Sequence, residues 1–148
     1  MNRGTAFWDS SALIPLCVQE RTSIKVRTLA RQFAPVVWWA TAVEIHSAIA
    51  RLHRAGEFGD AGRKAALDRL AVVREGWREV LPSDKLRNQA ENLLDTHALR
   101  AADSLQLASA LIWCQQRARE RMFISNDHRL GETARILGFA VISPAAFS

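Results

Sequence analysis

Short β-prone apolar segments alternate along this chain with stretches of helical period, and no other feature narrows its fold as much. Thr5-Ala6-Phe7-Trp8, Val36-Val37-Trp38-Trp39, Met122-Phe123-Ile124-Ser125 and Ala140-Val141-Ile142 read as strands. Pro35 breaks the chain ahead of the second, whose unbroken apolar run reads as fully buried. Between the strands, Ala12-Leu13-Ile14 opens a helix that Pro15 is early enough to join. Further helices are expected over 23–32, from Thr41 to a stop at Gly56, over 61–73, over 85–97 and over 105–114. Leu130, Ala134 and Leu137 stripe a last one closed by Gly138. Strands alternating with helices predict right-handed crossovers, an α/β fold and a mainly parallel central sheet with helices on both faces. The helical stretch over 41–97 reads as an arm or a dimer face.

Totals fit that expectation. The 148 residues, with no repeat or linker, suit one domain over 1–148. A chain of this length buries enough surface to fold without a disulfide. Cys17 and Cys114 match no metal spacing and read as reduced, buried thiols of a cytoplasmic protein. No apolar run has membrane-span length, and Met1-Asn2-Arg3-Gly4 has no apolar signal core, so neither a membrane nor export is expected. The net charge is +5, and all 20 basic residues but Lys25, Lys64 and Lys85 are Arg, the side chain best shaped for bidentate phosphate contacts. Charge alone leaves nucleic-acid contact and plain solubility both open.

Four acids stand at the hand-over points: Asp9, Glu44, Asp103 and Asp127. Open α/β sheets bind ligands beyond the carboxyl ends of their strands, where Asp9 and Asp127 should reach. Each also reads as a helix cap. Glu44 fits a capping box with Thr41, in which it would bond back to the Thr41 amide. Asp103 lies in the first turn of the most apolar helix, where the helix dipole favours it by only about 0.3–1 kcal/mol. Burying its charge calls for a partner, either Arg100 or a metal.

The joint arrangement says more than any one acid. Carboxylates about 5 Å apart repel by roughly 3 kcal/mol per pair at an effective dielectric of about 20. Gathered together they need a cation or a shared proton. Oxygen-only ligands favour Mg²⁺ or Mn²⁺ over zinc. His46, His53, His97 and His128 form no HExxH or Cys/His cluster and read as solvated or structural.

These residues resemble the PIN-domain family, in particular VapC-type toxins of bacterial type II toxin–antitoxin pairs. The resemblance runs from Phe7 to Ile142 through four motifs in order. They are Asp9-Ser10-Ser11-Ala12-Leu13 with Glu20 closing the helix, Thr41-Ala42-Val43-Glu44-Ile45, the segment 99–110 around Asp103, and Ile124-Ser125-Asn126-Asp127-His128-Arg129-Leu130. Trp8, before the first acid, is bulkier than the pattern. The resemblance implies a PIN-like three-layer sandwich and a ribonuclease dependent on Mg²⁺ or Mn²⁺. Asp9 and Asp103 would be the principal metal ligands, Glu44 and Asp127 would complete the catalytic pocket directly or through water, and Ser11 and Ser125 would support it. RNA as substrate, a cognate antitoxin and a homodimer built on apolar helix faces of the 23–73 region come from the resemblance alone. A catalytically inactive PIN-like protein-binding module is the alternative.

Other chemistries find less support. Receiver-like domains need a Lys after a late strand, and the last one here is Lys85. Haloacid-dehalogenase-like enzymes need a second Asp where Ser11 stands, and neither GxxxxGK[ST] nor GxGxxG occurs.

Overall fold

The computed structural model describes residues 3–147. Met1 and Asn2, part of the start read above for export, lie outside them, as does Ser148. A five-stranded sheet has the order β3-β2-β1-β4-β5, with every neighbouring pair parallel. The strands are β1 (Gly4–Trp8), β2 (Phe33–Trp38), β3 (Arg78–Val80), β4 (Met122–Ile124) and β5 (Ala140–Ile142). The helices are α1 (Ser10–Cys17), α2 (Ser23–Gln32), α3 (Thr41–Arg54), α4 (Asp60–Glu75), α5 (Asp84–Thr96), α6 (Ala101–Trp113) and α7 (His128–Ile136). A 3₁₀ turn over Pro144–Phe147 follows β5.

Helices cover both faces of the sheet, and strand alternation explains how. Phe7, Val36, Trp38 and Phe123 point to one side, where they pack with Leu86, Leu93, Leu107 and Leu111 of α5 and α6. Ala6, Trp8, Val37 and Ile124 point to the other, against Leu13, Val26, Ile45, Ile49 and Leu70 of α1 to α4. The bulk of Trp8 is absorbed in this second layer, although its buried indole N–H finds no partner among the described residues. Phe7 stacks on Phe123 at 5.5 Å and Phe123 meets Phe139 at 5.6 Å, so rings tie β1 to β4 at the centre of the sheet.

Four local expectations are corrected. Pro35 does not precede the second strand but lies inside it, paired with Ala6. β3 partners only Val36–Trp38, so at Pro35 the strand has one neighbour and a missing N–H is tolerated. Trp39 falls past the end of β2 and is 51% exposed. The strand β3 has no forewarning in the sequence, because Arg78 and Glu79 hide a three-residue edge strand. It also interrupts the 41–97 stretch, which packs down as α4 on α1 and α3 and as α5 on α6 rather than projecting as an arm. Finally, α1 ends at Cys17, so Glu20 sits in the connection to α2, where its N–H bonds Ser23 Oγ at 2.8 Å.

Cys17 and Cys114 are buried free thiols. Among the described residues no helix is long and apolar enough to cross a membrane.

Gly138 closes α7 with φ +110°, and a Cβ built there would lie 3.5 Å from that of Ala118. Backbone strain at such a φ is worth about 1–3 kcal/mol for a residue with a side chain. Gly138→Ala should lower stability by that amount in urea unfolding, and an unchanged midpoint would contradict the assigned turn.

Candidate active site at the sheet switch point

In this strand order the chain turns back between β1 and β4, and a crevice opens where their carboxyl ends diverge. Trp8 pairs with Ile124, and the Asp9 amide bonds Ile124 O at 3.0 Å. That register sets Asp9, just past β1, beside Ser125, just past β4.

Asp9 occupies the N-cap position of α1 but makes no side-chain cap bond. Its Oδ2 instead accepts from Ser11 Oγ at 2.5 Å and from Ser125 Oγ at 2.8 Å. Ser125 Oγ also accepts from the Asp127 amide at 3.0 Å, which knots the β4 exit to the β1 exit. Asp127 is the true cap of the pair. Its Oδ1 accepts from the Leu130 amide at 3.1 Å and starts α7.

The capping box at Thr41 does not form. Thr41 is the first residue of α3 and makes no cap bond; its buried hydroxyl accepts from Gln106 Nε2 at 3.2 Å. Glu44 turns away from the helix end. It accepts from the same Gln106 nitrogen at 2.7 Å, and from Ser10 Oγ at 3.4 Å. Ser10 Oγ lies equally 3.4 Å from Asp9 Oδ1, so one hydroxyl bridges two of the four carboxylates. Asp103 sits half-buried in the first turn of α6.

These acids feel one another. Burial raises the pKa of Asp9, the hydroxyls of Ser11 and Ser125 pull it back, and the charges of Asp127 and Asp103 raise it further. Glu44 is pushed up to about 7, first by burial and then by Asp9 and Asp103, against the bonds from Gln106 and Ser10. Asp103 is raised by burial and by Asp127; a backbone bond from Arg100 and the charges of Arg100 and Arg129 oppose this. The ion pairs of the described residues are His53–Asp60, Lys64–Asp68, Arg87–Asp84 and Arg135–Glu132, and none includes any of the four. Arg100 therefore eases Asp103 without pairing with it.

Among the described residues no three His, Cys, Asp or Glu side chains form a ready-made metal-holding group. The acids are coupled through charge and shared hydroxyls, but they are not closed to ligand distances. Their chemistry still suits a hard cation: the donors are oxygens, and their mutual repulsion is what a divalent ion would reverse.

Ser10 and Gln106 were not singled out from the sequence. Ser10 has no distinguishing signal. Gln106 has one, as a large amide inside the apolar run 105–112, where a buried polar group needs partners.

No protein-family profile and no curated protein sequence matches this chain. Solved structures do. A chain of a toxin–antitoxin complex from Klebsiella pneumoniae superposes with a TM-score of 0.65 at 14% identity, over 95% of this chain and 98% of that one. PAE2754 from Pyrobaculum aerophilum superposes with a TM-score of 0.64 at 17% identity, over 97% of this chain and 92% of its own. At such identities the likeness is one of fold, and this chain has an α/β fold shared with a component of a toxin–antitoxin complex.

Proposed function

We propose that this chain is a PIN-type, VapC-like endoribonuclease that uses Mg²⁺ or Mn²⁺ to hydrolyse RNA phosphodiester bonds, and that it is the toxin of a type II toxin–antitoxin pair. One observation carries the reading. Asp9, Glu44, Asp103 and Asp127 are coupled through charge around the switch-point crevice, and none has a cationic side chain within ion-pair reach among the described residues. The fold shared with a toxin–antitoxin component supports the same reading.

Asp9 and Asp103 would hold the ion, with Glu44 and Asp127 completing the set. A divalent ion bound there supplies Lewis acidity at a phosphate oxygen and lowers the pKa of the attacking water. The protein does the rest. Ser11 and Ser125 fix the Asp9 carboxylate in one rotamer. Gln106 holds Glu44 by a hydrogen bond of 2.7 Å, in place to orient the attacking water. Arg129 and Arg100 bring positive charge to the rim beside Asp103, where flanking phosphates would pass. A cognate antitoxin would cover the acids, with an Arg as the natural counter-ion, and a homodimer fits the same reading.

The test is cleavage of single-stranded RNA by the purified chain with Mg²⁺, Mn²⁺ or a chelator. Cleavage that needs the ion is expected. Cleavage undiminished in chelator removes the metal, and none under any condition removes the nuclease. The last outcome would favour an inactive binding module, which the missing ready-made metal group and the capping role of Asp127 also favour.

A further inference from the structure

Two open grooves meet on the exposed side of α3. The first runs past Ser10, Ser11, Glu44 and Arg51, and so begins at Glu44 and at the Ser10 hydroxyl that lies 3.4 Å from Asp9. The second is lined by Trp39, His46 and Arg74. They share Val43 and Ser47, which makes them one continuous path. Val43, Ser47 and Arg51 recur at four-residue spacing and therefore form one stripe, about 12 Å long at the helical rise.

The path has an unusual surface. Trp39 is 51% exposed and Val43 67% exposed, side by side at the start of α3. Trp39 is held by its amide bond to Val80 O at 3.0 Å and by an edge contact with Trp38 at 6.3 Å. Its ring is thus anchored at one edge and open to solvent. Arg51 and Arg74 are exposed, and among the described residues neither guanidinium is engaged by a carboxylate. The one acid in the second groove, Glu79, accepts from Trp77 Nε1 at 3.0 Å. A ring open for stacking, cations free for phosphates and an origin at Glu44 together match a single-stranded polynucleotide.

We propose that this path binds single-stranded RNA, with a nucleobase stacked on Trp39 and flanking phosphates on Arg51 and Arg74. The class of ligand rests on the nuclease reading; the path itself does not. Stacking on an aromatic ring is sequence-tolerant, because every base has a π-face. Trp39 would therefore set affinity and the placing of the strand more than base preference.

Binding is measurable without cleavage, by fluorescence anisotropy of labelled RNA oligonucleotides on the full chain in chelator. Trp39→Ala should weaken binding on the order of tenfold to a hundredfold, and Trp39→Phe should restore most of it. Oligonucleotides made abasic at successive positions should locate one position where the wild type loses affinity and Trp39→Ala loses nothing more. Arg74→Gln should weaken every oligonucleotide alike and flatten the salt dependence. Equal affinity of wild type, Trp39→Ala and Trp39→Phe would overturn the proposal. So would a change of oligomeric mass in Trp39→Ala with RNA binding intact, which would make the patch a protein interface. Cleavage on the same variants separates the two readings. Trp39-dependent binding without cleavage in Mg²⁺ keeps the path and sinks the nuclease. Cleavage indifferent to Trp39 does the reverse.

Discussion

Asp9→Asn is expected to lower metal-dependent RNA cleavage by about a hundredfold or more, since altering even a residue that supports a metal ligand costs about 10–100-fold. The same substitution should leave the metal-free protein as stable as before, or more so. Asp9 is 4% exposed, and its carboxyl is held above the usual range by burial and by its acidic neighbours. Asn keeps the shape and removes the charge. The hydroxyls of Ser11 and Ser125 can turn to donate to its oxygen or accept from its nitrogen. A purely structural Asp9 predicts the opposite pair of results, with activity kept and stability lost. The two roles are separated by measuring thermal unfolding and cleavage on one preparation. Cleavage at the wild-type rate would exclude the proposed site.

The metal-free protein should lose stability as pH rises from about 4.5 to about 7, and divalent ions should restore it over the same interval. Glu44 titrates near 7 in the folded chain, against its ordinary 4.5. The folded state therefore holds the proton more tightly than the unfolded one, so the contribution of this group is fully present below about 4.5 and gone above about 7. Asp9 and Asp103 shift in the same direction and add to the slope. A cation needs the deprotonated carboxylates, so its effect grows as theirs is lost. At a hundred times its dissociation constant a bound ion stabilises by about 2.7 kcal/mol. Unfolding scans across this pH range, with Mg²⁺ and with chelator, would show two curves that diverge upward in pH. Glu44→Gln should flatten the chelator curve. Parallel curves would mean that no ion binds at these acids.

Legibility in the sequence varied with how local the cause was. The β-prone runs and helical periods were readable because they report burial within a few residues. So were the ends of α3 and α7, where Gly56 and Gly138 take positive φ. β3 was not readable, since an edge strand of three residues owes its existence to Val36–Trp38 beside it. Nor was the end of β2 ahead of Trp39 readable, because an apolar run does not say where pairing stops.

The acids divide in the same way. Asp9 and Asp127 look alike on paper, each an acid between a strand and a helix, with cap and site equally open. In the fold Asp127 caps its helix and Asp9 does not, because Ser11 and Ser125 claim the Asp9 oxygen first. Glu44 carried a complete capping-box signature with Thr41. Gln106, 62 residues away in sequence, takes both partners instead. A local motif competes with every tertiary donor that reaches it, and a sequence does not list those donors.

By itself, then, the order of residues determined the class of the fold, the parallel sheet with helices on both faces, and which carboxylates stand at strand exits. Those follow from periodicity and from short-range sterics. Only the tertiary structure decided the strand order, and with it the crevice between β1 and β4. It also decided which acids are bridged, which one is spent on a helix end, and that the groove of an exposed indole adjoins the groove that holds Glu44. Each of these depends on contacts between segments far apart in the chain, and no spacing along the sequence records them.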